Sequence, residues 1–194
     1  ALLVVAALIA AAVFRGALDL TAPPGPGYDP DALQYLGAAV SFAGGHGLRV
    51  PSAWWTSADT TSPLVHFPPG YPAAIGFGIA LGATPVNAAR RVNASAAAVT
   101  AIAVVLAAGG AGGVFAAIVA AAMVAVTPAL VIVHASVLSE PLFLAILACF
   151  AAVLASGGSG GHATDVAGGG AGHRIRRAAS TRRLIALSAL ATAA

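Results

Sequence analysis

Apolar residues recur in six runs along the chain, at 1–14, 73–86, 92–108, 114–133, 141–155 and from Leu184 onward. The runs are continuous rather than periodic, and 92–108, VNASAAAVTAIAVVLAA, has almost no polar face. A helix of a soluble domain needs such a face; a helix surrounded by lipid or other helices does not. Crossing a bilayer takes roughly 20 apolar residues, which 114–133 meets comfortably. The 73–86 run is short, contains glycine and is flanked by Pro72 and Pro85. It reads either as a full span in a thin region or as a half-span. Gly109, Gly110, Gly112 and Gly113 predict a tight turn over 108–114. Residues 156–173, rich in Gly, Ser and His, predict a flexible linker without a catalytic role.

Arg15 closes the first run, and a polar, irregular segment extends to residue 72. Within it, DPDALQYL is a well-formed helix start. Asp29 can cap, Pro30 suits the first helical position, and Asp31 lies where a helix N-terminus favours negative charge. Leu33, Leu36, Val40 and Ala43 then form an apolar stripe, with Asp31, Tyr35, Ala38 and Phe42 on a neighbouring face. This pattern predicts a short amphipathic helix at the membrane surface, ended by Gly44–Gly45. Asp29 reads as the cap. Asp31 is surplus to capping and is either a second helix-start residue or a carboxylate with a chemical role. Further on, HFPPGYP at 66–72 cannot continue a helix and predicts a rigid turn into the next run. His66, Phe67, Tyr71, Trp54 and Trp55 suit the membrane boundary, where aromatic residues commonly anchor.

Composition places the chain among membrane proteins. Hydrophobic residues make up 59%, charged residues 8%, and mean hydropathy is +0.93. All nine basic residues are arginines. The formal charge of +3 is concentrated near 174–183, which suits a membrane-proximal loop and no nucleic-acid reader. With only Cys149, no disulfide framework exists. Apolar sequence from the first residue, without a basic leader, reads as a first span rather than a signal peptide, and both ends suggest a portion of a longer polytopic protein. If every run crosses from a cytoplasmic N-terminus, HRIRRAASTRR at 173–183 falls outside, against the positive-inside tendency. If 73–86 is re-entrant, that segment returns to the cytoplasm and Glu140 joins Asp31 on the outer side. Five arginines there outweigh Arg90 and Arg91, which favours the re-entrant arrangement. The expected fold is therefore an all-α polytopic transmembrane bundle, multi-pass in the cell membrane, with an outer loop over 15–72 bearing a short surface helix. Residues 1–155 form its transmembrane part, 156–183 a flexible then basic loop, and 184–194 the start of a further span.

These pieces, in this order, resemble the start of the GT-C membrane glycosyltransferases. The likeness is to the group of protein mannosyltransferases and aminoarabinose transferases, over about residues 1–155. It rests on a first span, Asp-x-x-x-Tyr opening a surface helix, the Pro-Pro-Gly-Tyr-Pro segment, RRVNA at 90–94 and SEPLF at 139–143. The resemblance implies transfer of a sugar from a polyprenyl-phosphate donor to an acceptor at the outer membrane face, with membrane lipid as surroundings. It implies Asp31 as the catalytic carboxylate and Tyr35 as the tyrosine four residues on. Many members carry an Asp-Glu pair here; this chain has Ala32 second, so the pair is reduced or Asp29 supplies the other carboxylate. Such a carboxylate takes the acceptor's proton or holds a divalent cation, Mg or Mn, screening the lipid phosphate. Arg90, Arg91 and His66 are candidates for the donor phosphate, with Tyr71 at the same boundary. Arg90–Arg91 equally suits a topology-setting pair. Glu140 either binds substrate or begins a helix, with Ser139 capping and Pro141 just inside. A transporter or permease is the alternative function, since Gly/Pro-interrupted half-helices such as 73–86 occur there, and a purely structural membrane subunit is a third.

Overall fold

A computed structural model describes residues 2–51 and 61–158. Trp54, Trp55, the linker beyond 158, the basic segment 174–183 and the run from Leu184 lie outside the described residues. The described chain is helical: α1 (Leu2–Leu20), α2 (Pro30–Ala43), α3 (Gly70–Ala80), α4 (Pro85–Val126), α5 (Pro128–Ala135) and α6 (Glu140–Gly158). A short antiparallel hairpin of β1 (Arg49–Pro51) and β2 (Thr61–Pro63) lies between α2 and α3. Two helices, α1 and α4, are long and apolar enough to cross a membrane by length and composition, and α6 is a shorter apolar helix.

Helix α1 does not stop at Arg15. That side chain pairs one turn on with Asp19 at 2.9 Å, and both stay exposed, so the charges continue the helix to Leu20 without being buried. The 73–86 run is not one helix either. α3 ends at Ala80, a turn with Gly82 at φ +92° follows, and α4 starts at Pro85 with the Thr84 hydroxyl accepting from the Asn87 N–H. At 1.5 Å per residue α3 is about 16 Å long, half the roughly 30 Å hydrocarbon thickness.

The glycine turn is narrower than its four glycines suggest. Helix continues through 111, and only Gly112 and Gly113 leave helical geometry, Gly113 at φ +74° and ψ −169°, a backbone state essentially reserved for glycine. There α4 reverses. Val105 and Ala117 share one buried cluster with Ala6 and Ala121, and the Asn93 side chain near the start of α4 reaches the Ser136 carbonyl just past α5. Residues 85–111 and 114–135 are therefore antiparallel arms, about 40 and 33 Å long. The second arm bends at Thr127–Pro128 because Pro128 supplies no N–H to the ladder. Its helix runs two residues past 133.

Helix α1 packs beside the two arms of α4 and α5. A Cβ on Gly109 would come 2.6 Å from the Leu2 side chain, so the far end of the first arm meets the start of α1. α6 runs along the same arm, with Ala152 and Val153 beside Leu106 and Gly110. Consequently the C-terminal end of α1, both ends of α3, the start of α4, the end of α5 and the start of α6 all lie at one end of the bundle, and α2 joins them there. α2 packs against α3, whose Gly76 leaves no room for a side chain: a Cβ would meet the Ala39 carbonyl at 2.8 Å and Phe42 at 2.7 Å.

Candidate functional site

The site grows from the way α2 starts. Asp29 caps the helix in an extended conformation, its carboxylate accepting from the Asp31 N–H at 3.4 Å, and Pro30 takes the first helical position. The aspartate pair is thus divided: Asp29 closes the helix end, while the Asp31 carboxylate has no capping role. The face of α2 that packs inward is not the leucine-valine stripe. Ala32, Tyr35, Ala38 and Ala39 are buried, whereas Leu33 and Val40 are 70% and 50% exposed. Small alanines let α2 approach α3 closely, with Tyr35 the large side chain of this helix that is buried and Leu36 packed partly buried beside it. The outward leucine and valine suit a helix with lipid on its other side.

Tyr35 enters an aromatic cluster. Its ring meets Phe67 and Tyr71 edge-on, both with centroids 5.1 Å away, a favoured arrangement of ring quadrupoles. Ile75, Ala88, Ala89 and Val137 complete the buried core around them. The Tyr35 hydroxyl then donates to Ser139 Oγ at 3.0 Å, and Ser139 Oγ lies 3.5 Å from Glu140 Oε2. Burial raises the Tyr35 hydroxyl above the usual tyrosine range; the Ser139 hydrogen bond opposes this, and the charges of Glu140 and Asp31 add to it. Two carboxylates from distant parts of the chain therefore flank one buried phenol that stays protonated as a donor. Ala32, which stands where the resemblance expects a second acid, is fully buried against this cluster.

Glu140 opens α6, with Pro141 in the first turn and the Phe143 N–H bonded to the Ser139 carbonyl. It is a helix-start residue, yet the Ser139 hydroxyl faces Tyr35 instead of capping α6. Tyr71 lies in the first turn of α3 rather than in a turn preceding it. Its hydroxyl donates to Asn93 Oδ1 at 3.0 Å, and burial pushes its pKa well above the usual range. Asn93 in turn donates to the Ser136 carbonyl. Gly27 holds the same strand from the other side, its N–H bonded to the Ala135 carbonyl and its carbonyl to the Val137 N–H, each at 2.9 Å. The 136–139 segment carrying Ser139 into α6 is thus fixed by α4 and by the α1–α2 connection.

The basic candidates separate. Arg90 is engaged in closing α1: it donates to the Leu18 carbonyl at 2.7 Å, to Thr21 Oγ1 at 3.0 Å and to Asn87 Oδ1 at 3.0 Å. A cation at a helix C-terminus is the favourable placement, so this guanidinium serves the fold. Arg91, one residue on, is exposed and lines an open apolar groove of about 750 Å³ between α3, α4 and α6. Ala88, Val92 and Leu142 belong both to the groove wall and to the tyrosine cluster, so the two adjoin. His66 is exposed on the connection before α3 and forms no hydrogen bond or ion pair with the tyrosine–carboxylate group among the described residues. Among the described residues no three His, Cys, Asp or Glu side chains gather as a metal centre.

Two participants carried no signal as site residues. Asn93 stands inside RRVNA, where the arginines draw the eye; a lone amide opening an alanine-rich apolar run was the available cue. Ser139 reads as a cap from sequence because the partner of its hydroxyl lies over a hundred residues away. The chain matches no family model, no curated protein and no solved structure.

Proposed function

We propose that the chain acts in a multi-pass membrane glycosyltransferase of GT-C type, moving a sugar from a polyprenyl-phosphate donor to an acceptor hydroxyl. In this reading α1, the two arms of the α4–α5 hairpin and α6 cross the membrane, while α2 and the half-length α3 lie at the outer surface. The observation that carries the proposal is the convergence of Asp31 and Glu140 on the Tyr35–Ser139 pair at one end of the bundle, beside an apolar groove with an arginine at its rim. Among the described residues, a charge-poor chain places two acids without an ion-pair partner and an exposed arginine where a lipid-linked anion and a polar acceptor would meet.

The chemistry assigned to the residues is a displacement at the anomeric carbon. Asp31 takes the proton of the acceptor hydroxyl; the oxygen's electron pair forms the new bond to the sugar. The bond from that carbon to the phosphate oxygen breaks, and the polyprenyl phosphate leaves with the electron pair. Arg91 pairs with the phosphate and the groove takes the first isoprene units. Tyr35, through Ser139, is a positioning residue for Glu140, which orients the sugar or acceptor hydroxyls. Incubating the full-length protein with lipid-linked sugars and following release of free polyprenyl phosphate tests this. Glu140→Gln should slow release at least tenfold at matched abundance; unchanged turnover would leave Glu140 as a helix-start residue only.

A further inference from the structure

The connection from α1 to α2 meets the connection from α5 to α6 in a parallel β-bridge, with Gly27 opposite Ser136. Two backbone bonds of 2.9 Å make it, from the Gly27 N–H to the Ala135 carbonyl and from the Val137 N–H to the Gly27 carbonyl. Both segments leave the bridge in the same direction, and each turns into a helix whose first turn carries an acid, Asp31 in α2 and Glu140 in α6. Each acid stands four residues beyond its own bridge residue. A slip of one residue in the pairing would displace one segment along the other by about 3.3 Å. Space guards against such a change. A Cβ on Gly27 would come 2.8 Å from Ser136 Oγ and 3.5 Å from Ser136 Cβ. The Gly27 φ is not positive, so glycine is needed here for close approach and not for backbone freedom. Ser136 is held from its other side. Its Oγ donates to the Ile132 carbonyl at 2.9 Å, and its own carbonyl accepts from Asn93, so the hydroxyl cannot turn away without losing a bond.

We infer that Gly27 and Ser136 are positioning residues for the two acids: their close contact fixes the register in which the starts of α2 and α6 lie side by side, and with it the placement of Asp31 and Glu140 about the Tyr35–Ser139 pair. The bridge sits one short step ahead of both helices, so a change there is carried into both first turns. The Tyr35–Ser139 hydrogen bond at 3.0 Å is a second tie between the same two segments, and it can form only when the bridge has brought them into register. The register stands on backbone bonds alone; its consequence for sugar transfer rests on the function proposed above.

The test uses the full-length protein in nanodiscs. With Cys149 replaced, spin labels on cysteines at Leu33 of α2 and Phe143 of α6, both exposed, report the spacing of the two helices without reference to activity. Gly27→Val should shift or broaden that distance distribution. In unlabelled protein it should lower kcat for sugar transfer roughly 10- to 100-fold, the cost of misplacing reacting groups by about an ångström, with the KM for lipid-linked donor unchanged. Gly27→Val/Ser136→Gly removes the side chain that the valine meets and should restore both quantities. In a Glu140→Gln background Gly27→Val should cost far less, because the group whose placement it disturbs is already gone; a general loss of folding would cost the same in either background. An unchanged distance distribution in Gly27→Val, or a double variant that restores neither quantity, overturns the inference. Absence of transfer in the unaltered protein would instead contradict the glycosyltransferase reading, and the label distances would still decide the register. Hydrogen exchange needs no variant: the amides of Gly27 and Val137 should be protected in the unaltered protein, and rapid exchange of both overturns the inference.

Discussion

Replacing Asn93 by alanine should cost more than its small size suggests. The side chain is 2% exposed and joins three elements: it accepts from Tyr71 of α3 and donates to the Ser136 carbonyl ahead of α6. Alanine strands two partners at once, the buried Tyr71 hydroxyl and the part-buried Ser136 carbonyl, and each stranded group costs about 1–3 kcal/mol, so a loss of about 2–6 kcal/mol is expected. Tyr71→Phe removes one of the same bonds while keeping the ring packing, at about 1–2 kcal/mol. Because the two substitutions share a bond, the double variant should fall short of additivity by about 1–2 kcal/mol. Unfolding of the purified protein in mixed micelles, for the four members of the cycle, gives that coupling directly. Additive losses within about 0.5 kcal/mol would refute the shared Tyr71–Asn93 bond and, with it, the view that this bond ties α3 to α4.

Three more outcomes are expected. The chain has three tyrosines, and burial raises two of them, Tyr35 and Tyr71. The tyrosinate absorbance should therefore develop in stages, Tyr71→Phe should remove the latest one, and stability should fall as pH rises above 10, where the unfolded chain releases protons that the folded chain retains. Arg90→Ala should lower stability by about 1–2 kcal/mol through the lost cap of α1, whereas Arg91→Ala should leave stability unchanged and raise the KM for lipid-linked donor; equal effects on both quantities would contradict their separation. Cysteines introduced at Thr61 and at Gly110, where a Cβ meets nothing within 4 Å, should be labelled by an impermeant thiol reagent from opposite sides of the membrane once Cys149 is replaced. Labelling of both from one side would remove the four-crossing arrangement.

Much of the helical architecture was legible because long apolar helices announce themselves by continuous apolar sequence. The start of α2 was also legible, since Asp29, Pro30 and Asp31 are local signals whose effect does not depend on distant chain. What escaped was set by contacts between distant segments. The Ala32–Tyr35–Ala39 face of α2 turns inward because alanine permits close approach to Gly76, a steric matter that hydrophobicity ranks in the wrong order against Leu33 and Val40. Arg15 read as a stop because Asp19 was not weighed as its partner one turn later. The reversal of α4 was visible in its glycines but not its exact place, since Gly109 and Gly110 are helical and Gly109 serves instead to admit Leu2. Arg90 and Arg91 are indistinguishable in sequence; only the position of the α1 terminus assigns one to the fold and leaves the other free. That the charges of Asp31 and Glu140 both bear on Tyr35 depends on four helices returning to one end, which no local pattern encodes.

The central claim is that Asp31 performs chemistry rather than helix capping, and one measurement addresses it. The full-length protein and its Asp31→Asn and Asp29→Asn variants, matched for abundance in the membrane, are compared for transfer of a labelled sugar from polyprenyl phosphate to acceptor. Asparagine keeps the size and the local hydrogen bonds of aspartate but cannot serve as a base. Transfer should therefore be lost by a factor of about 100 or more in Asp31→Asn and change little in Asp29→Asn, where asparagine caps as well as aspartate. Turnover in Asp31→Asn equal to that of the unaltered protein would contradict the account and return both aspartates to the start of α2.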